Sequence, residues 1–492
     1  MRKSLAIGIV MAILVAACSN TPSLPPPSQP AIPAATSSAT ATLGSSSPPP
    51  ILSPTVPTVP PTAFAGATLP VKGSGRAIGT EIRMAAGPDG RLWLSIPRDD
   101  GTVLALLDNT GKPSPAWPIL LPEVDGCDPL LPAADGYIRV VCSVRGALGV
   151  VADSVARAFS FDANAQSMPG WPVDIKDGTS ARTVGDDLAM LVNPLRNVGG
   201  EPGQLWPVSL VVIGTDGTRR SGVEVPFPCC DSDWAIGPDG RAYGTTHRWN
   251  GATPVATDVL AFDLDGKRSG WPVTIDGNTS ELAFGPNGWI YMVVGSANAS
   301  PSHTVVLDPD GKVLATSSAD LPIASTGRTT GAGPGYPGPP IVAADGTAFM
   351  VSTQAGTTIQ ALGPTGQPLT GWPYRSSVGL EWTGFCGGGD TGCGQDRTDP
   401  AVGKDNVLYA LQAAASDSAG GTMMAIGMDG QVRKGWPVGL KRAGSMFWSM
   451  ALAPSGGIWA LAIEPESSGF SATILSIAED STILFAATVV EP

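Results

Sequence analysis

Histidine is nearly absent from this chain: its 492 residues contain two, His247 and His303. That scarcity excludes a multi-histidine zinc or iron centre and leaves a Ser–His–Asp hydrolase only two candidate bases. Charge is also scarce. Charged residues make up 14% of the chain, against about 25% in an average globular domain. With 29 Lys+Arg against 42 Asp+Glu, the net charge is −13, so the basic clusters needed for a nucleic-acid footprint are missing. No stretch shows long helical periodicity with caps, which removes helical bundles from consideration. Residues 19–70 contain no Asp, Glu, Lys or Arg at all, but they do contain 14 prolines among Ser, Thr and Ala. Such a segment has little apolar surface to bury and reads as a disordered tether. Fully extended at roughly 3.1 Å per residue, it would span about 160 Å.

The residues before the tether form a targeting segment. Arg2 and Lys3 precede an apolar run over residues 5–17, too short to cross a bilayer as a stable helix. The run ends Leu14-Val15-Ala16-Ala17-Cys18, which resembles a bacterial lipobox. The resemblance implies cleavage before Cys18, lipidation of its thiol, and an extracytoplasmic chain anchored to the bacterial membrane and displayed outward. The organisation expected is a signal peptide over 1–18, a tether over 19–70 and a folded region over 71–492.

The folded region repeats. One unit reads Ala235-Ile236-Gly237-Pro238-Asp239-Gly240-Arg241-Ala242-Tyr243, continues through Val259-Leu260-Ala261-Phe262-Asp263-Leu264-Asp265-Gly266, and closes on Gly270-Trp271-Pro272-Val273. Trp-Pro closures fall at Trp117, Trp171, Trp271, Trp372 and Trp436, at intervals of 54, 100, 101 and 64. A unit near 50 residues with two double steps accounts for these intervals. Trp206-Pro207 is out of phase and reads as a loop. First-hairpin Gly or Asn residues at 90, 136, 240, 288, 346, 406 and 457, with a degenerate turn at Gly185-Asp186-Asp187, give eight units. Each unit holds about four short β-prone runs between Asp-Gly or Asn-Gly turns. Runs such as 91–96 read as alternating, half-buried strands. The fold expected is all-β, a single β-propeller of eight four-stranded antiparallel blades, with seven blades as the runner-up.

The Ala-x-Asp-x-Asp-Gly strand-turn and the tryptophan closing each unit resemble the quinoprotein-like (PQQ-like) β-propeller repeats over about residues 71–492. The Gly-Trp-Pro closure is also similar to integrin-like FG-GAP repeats. The first resemblance implies that the blade tryptophans dock between neighbouring blades. Blade topology puts the first and third turns on one face, and the second turn and the crossover on the other. The irregular sequence at 145–157, 193–204, 245–258, 325–340, 381–398 and 412–421 then gathers on that second face, where a propeller usually binds.

Six cysteines remain after Cys18, an even number in an exported chain. Cys127 and Cys142 lie opposite each other across a hairpin. Cys386 and Cys393 bracket a small Gly-rich loop, and Cys229-Cys230 is a vicinal pair. In quinoprotein alcohol dehydrogenases a vicinal disulfide covers the quinone beside calcium and a catalytic aspartate. Here Asp231, Asp233 and Trp234 follow the pair, while the spaced calcium ligands of those enzymes find no residue-by-residue match. A ring that stiffens one crossover, two free thiols, or bonds to other cysteines are the competing readings. Asp263-Leu264-Asp265-Gly266 and Asp308-Pro309-Asp310-Gly311 look like calcium-loop fragments but read as hairpin turns. His247 and His303 fall in equivalent second-turn loops of adjacent blades. Gly331 to Pro340 lacks the ending of a phosphate loop. Asp390, Asp396, Arg397 and Asp399 form a polar cluster near Cys393.

Together these features describe a monomeric lipoprotein whose propeller is a non-catalytic binding or scaffolding module for an extracytoplasmic protein or glycan, without cofactor. A PQQ- and calcium-dependent alcohol or sugar dehydrogenase is the first alternative, and an envelope-assembly scaffold is the second.

Overall fold

The computed structural model describes residues 69–70, 82–133, 136–144, 155–176, 178–192, 205–228, 234–250, 253–267, 270–280, 282–296, 299–317, 340–352, 357–377, 400–412, 420–466 and 469–490. These residues form eight antiparallel sheets arranged as the blades of a β-propeller. The blades span 83–121, 124–176, 178–228, 234–276, 278–316, 341–376, 401–439 and 446–490, numbered 1 to 8. The eight-blade reading therefore holds. The unit lacking a clear first turn is blade 3, whose strands Gly178–Val184 and Asp187–Val192 turn at Gly185, φ 58°.

First strands of neighbouring blades touch one another, which places them innermost. Arg83 Nε donates to Asp128 Oδ2 at 2.9 Å and ties the first strands of blades 1 and 2. Arg182 Nη1 donates to the Ile236 carbonyl at 3.2 Å between blades 3 and 4. Blade 8 carries a fifth strand: Leu69–Pro70 runs parallel to its outer strand, with Leu69 opposite Val489 and Pro70 opposite Val490. Proline is tolerated there because an edge strand leaves one side of its backbone unpaired.

The apolar core is divided among the seams between blades. One cluster joins Leu92, Leu94 and Val103 of blade 1 to Trp459, Leu461 and Ile474 of blade 8 and so closes the ring. Trp459 Nε1 adds a hydrogen bond to the Gly90 carbonyl at 3.2 Å. Comparable clusters fill the other seams. This corrects the expectation of half-buried strands. In Leu92–Arg98 every residue but Pro97 is buried, because a blade packed between two neighbours hides both faces of its central strands.

The tryptophans dock between blades as the repeat resemblance implies. Trp117 Nε1 donates to Ala163 O at 3.0 Å and Trp171 Nε1 to Thr215 O at 3.0 Å. Trp372 Nε1 donates to Met428 O at 2.9 Å and Trp436 Nε1 to Glu479 O at 2.9 Å. Each acceptor lies in the third turn of the next blade. Trp271 enters the same kind of seam, but its buried Nε1 finds no acceptor. The five closing Trp-Pro bonds are cis. The closures belong to blades 1, 2, 4, 6 and 7, so the double steps in sequence fall on blades 3 and 5.

Two local expectations are corrected. Trp206-Pro207 is not a loop: it lies in strand Leu205–Ile213, paired with Val225–Pro228, an outer pairing that blade 4 also makes, there directly after its Trp271-Pro272 turn. In blade 8 the left-handed glycine of the first turn is Gly456, φ 99°, and not Gly457.

Candidate interaction face

The two ends of the ring are built differently. At one end the first and third turns are tight, and their Asp side chains cap the turn backbone. Asp216 Oδ1 accepts from the Thr218 hydroxyl at 2.6 Å and its backbone N–H at 3.0 Å, and these bonds hold its carboxyl below the usual range. Asp263 Oδ1 accepts from Asp265 N at 3.0 Å, and Asp308 Oδ1 from Asp310 N at 3.0 Å and Lys312 N at 2.9 Å. The calcium-loop look-alikes are thus hairpin turns whose first carboxylates bond the turn backbone. Tyr243 Oη donates to Asp239 Oδ2 at 2.8 Å and braces another such turn.

At the opposite end the second hairpins rise. The segment 245–258 was expected to be an irregular loop. Instead, strands Ala242–Asn250 and Thr253–Asp263 stay paired from Ala242↔Phe262 to Asn250↔Thr253, with a bulge at Arg248/Trp249. Polar cross-strand pairs continue the ladder where apolar residues stop. Arg248 forks onto Asp258, Nε to Oδ2 and Nη2 to Oδ1, each at 2.8 Å, and Thr274 Oγ1 donates to Asp258 Oδ1 at 2.6 Å. Trp249 is 41% exposed. The His247 ring meets it edge-on with centroids 6.3 Å apart.

Blade 2 places an arginine where blade 4 has Asp258, and its fork reaches the fourth strand of the blade, not the second. Arg157 and Asp258 both stand five residues before the Asp that opens the third turn. Arg157 Nε donates to Asp174 Oδ1 at 2.5 Å, and Nη1 bonds Glu123. The bond from Arg157 holds the Asp174 carboxyl below its usual range, and the same bond raises the guanidinium. Beneath this pair, Cys127 and Cys142 are direct cross-strand partners joined by a disulfide, with Cα atoms 3.9 Å apart.

Of the residues singled out in sequence, Trp117, Trp171, Trp271, Trp372 and Trp436 occupy seams, and Cys127 and Cys142 pair. Cys18, Cys229, Cys230, Cys386, Cys393, Asp231, Asp233, Asp390, Asp396, Arg397 and Asp399 lie outside the described residues, as do 193–204, 325–339 and 381–398. His247 and His303 are corrected from loops to strands, Ala242–Asn250 and Ala299–Leu307, because both hairpins extend further than their apolar residues suggested. Sequence reasoning missed Arg248, Trp249, Arg157 and Asp174. Period-2 counting outward from Tyr243 and Phe159 would have kept them on strands. Among the described residues no group of three or more His, Cys, Asp or Glu side chains could hold a metal ion.

Comparison with known proteins adds only distant likenesses. No family model and no curated protein matches the chain. Similar solved structures include a prolyl endopeptidase, at 12% identity and TM-score 0.43 over 81% of this chain and 55% of that one. Prolyl oligopeptidase B from Galerina marginata gives 10%, 0.42, 82% and 56% in the same order. The Dos1 propeller gives 9%, 0.42, 78% and 90%. The chain thus spans little more than half the length of the peptidases it matches.

Proposed function

We propose that this chain is a lipid-anchored, extracytoplasmic lipoprotein whose propeller is a non-catalytic binding head for an envelope protein or glycan. The observation that carries the reading is the asymmetry of the ring. One end is closed by self-capped turns. The other raises a β-ribbon bearing an exposed tryptophan and forked ion pairs, the kind of rigidly held polar and aromatic groups that recognition uses. The Leu14 to Cys18 segment and the charge-free residues 19–70 support anchoring through Cys18 and outward display. The dehydrogenase alternative gains no support from the described residues: Cys229-Cys230 lies outside them, and no described carboxylate cluster suits calcium.

Three experiments test the reading. Cys18→Ser should move the chain from the membrane fraction to the soluble one; equal membrane retention would end the anchoring claim. Cross-linking on intact cells followed by mass spectrometry should place cross-links on the ribbon around residues 248–255. Trp249→Ala should abolish them without lowering Tm. Turnover of an alcohol or sugar after loading with PQQ and calcium would replace the binding head with the dehydrogenase.

A further inference from the structure

The seams of the ring are not tied alike. At five of them an indole N–H bonds the next blade: Trp117, Trp171, Trp372 and Trp436 each reach its third turn, and Trp459 reaches Gly90 O of blade 1 at 3.2 Å. Between blades 3 and 4, Arg182 bonds the Ile236 carbonyl, and a Cβ on Gly240 would lie 2.9 Å from Val184 Cγ1. Blade 5 is held differently on both of its sides.

On the blade 4 side, Trp271 is buried but its Nε1 bonds nothing. The acceptors used elsewhere are the second residues of the third turns, Ala163, Thr215, Met428 and Glu479. Pro309 holds that place in the turn closed by the bond from Gly311 N to Asp308 O. The closure also stands further from the turn. A Cβ on Gly170 or Gly371 would lie 2.0 or 2.1 Å from the next blade's turn carbonyl, whereas one on Gly270 would lie 3.3 Å from Asp310 O. Thr279 pairs with Val294, whose side chain lies in this seam, so the two share a face. Thr279 is 1% exposed and its Oγ1 has no hydrogen-bond partner. The closed seam therefore carries two unsatisfied polar atoms, a cost that water relieves if the faces loosen. Its apolar contact, Tyr243, Val259 and Ala261 with Met292, Val294 and Val305, is non-directional, so the faces can turn on one another without losing an indole bond.

On the blade 6 side, blade 5 brings no Trp-Pro closure. Two small patches meet blade 6: Val293 with Met350 and Leu362, and Tyr291 and Val306 with Ala348. The seam between blades 8 and 1, by contrast, buries thirteen residues in one cluster. Across the weaker seam Tyr291 Oη donates to Gly346 O at 3.2 Å, and Thr304 Oγ1 donates to Met350 Sδ at 3.1 Å. A thioether sulfur is a weak acceptor.

We infer that blade 5 is a hinged side port: its seam with blade 6 parts while it turns on its seam with blade 4, so that the innermost strands of blades 5 and 6 become reachable from the side of the ring. Opening here gives up the Tyr291 and Thr304 bonds and two small patches, and it lets water reach Trp271 Nε1 and Thr279 Oγ1. Opening at an indole-bonded seam gives up a bonded tryptophan and a larger single cluster. The strands of each blade stay paired throughout, so the motion is a local opening and not unfolding.

Thiol labelling of the full chain tests the port, with Cys229→Ser, Cys230→Ser, Cys386→Ser and Cys393→Ser removing competing thiols. Ala348→Cys places a thiol between blades 5 and 6, Ala472→Cys between blades 8 and 1, and Ala425→Cys between blades 7 and 8. All three alanines are at most 2% exposed. In native buffer, followed peptide by peptide, the thiol at 348 should react about tenfold faster than the other two. Low urea should leave its rate unchanged, because a local opening exposes little surface. Tyr291→Phe should speed it a few-fold further without affecting the thiol at 472. The unsubstituted chain gives a second measurement that needs no variant to fold: dilute peroxide should convert Met350 to its sulfoxide ahead of Met190, Met423 and Met424, which lie in other seams. Equal labelling at the three sites, or Met350 oxidised no sooner than those methionines, would overturn the port.

Discussion

Blades 1, 2, 4, 6 and 7 close on Trp-Pro, whereas blades 3, 5 and 8 do not, and blades of the two groups meet their neighbours differently. In blade 2, Trp171 is 7% exposed and its N–H is bonded to the next blade. Gly170, φ 81°, sits so close to blade 3 that a Cβ there would lie 2.0 Å from Asp216 O. Blades 3 and 5 present apolar residues to solvent at the corresponding edges: Val223 is 55% exposed, Val313 47% and Leu314 38%. In four of the five closures one residue type supplies both apolar area and a satisfied polar tip in a seam; the outer strand of a closed blade can still expose an apolar residue, as Leu120 of blade 1 does at 44%.

Substitutions that act on one group and spare the other sharpen this contrast. The largest effect is expected from Trp171→Ala or Trp436→Ala, at about 3–5 kcal/mol of destabilisation in chemical unfolding, as for other buried tryptophans. A loss under about 1 kcal/mol would mean that the indoles do not hold the seams. Gly170→Ala should cost about 1–3 kcal/mol through overpacking against blade 3 and its positive φ. Trp171→Phe compared with Trp271→Phe isolates the hydrogen bond. The first should lose about 1 kcal/mol more than the second, whose indole N–H has no acceptor to lose. Val223→Ser and Leu314→Ser should change stability by no more than about 0.5 kcal/mol while reducing self-association in light scattering.

A further small effect concerns pH. Arg157 holds Asp174 below the ordinary aspartate value of 3.8, so the pair's contribution is complete above that value and disappears as pH falls through the lowered one. Asp174 is 58% exposed, which limits the contribution to about 0.2–1 kcal/mol. Asp174→Asn should remove it at pH 7, and the difference from the parent should shrink as pH falls from 3.8 through the lowered value, as read from urea midpoints across pH.

Much of the ring was legible because its signals are local. Asp-Gly turns, β-prone runs and a tryptophan every 50 or 100 residues each act within one unit, and the structure joins the units as counted. The Cys127–Cys142 pairing was legible for the same reason, since a hairpin fixes its own register. The ribbon of blade 4 was not. Thr245 to Asp258 is polar and interrupted by Gly251 and Pro254, so nothing in its composition distinguishes an extended ladder from a loop; the fork between Arg248 and Asp258 becomes visible only once register is known.

The parallel pairing of Leu69–Pro70 with Val489–Val490 has a mechanical consequence. Any tension carried by the residues preceding Leu69 enters the ring at blade 8, against Val489 and Val490, before it reaches the innermost strand of blade 1. The edge that receives this load does not exist until residue 490 has been synthesised. Until then Leu69 and Pro70 have no ladder to join, so a chain pulled from its N-terminal side can bear that pull through this strand only when its ring is complete.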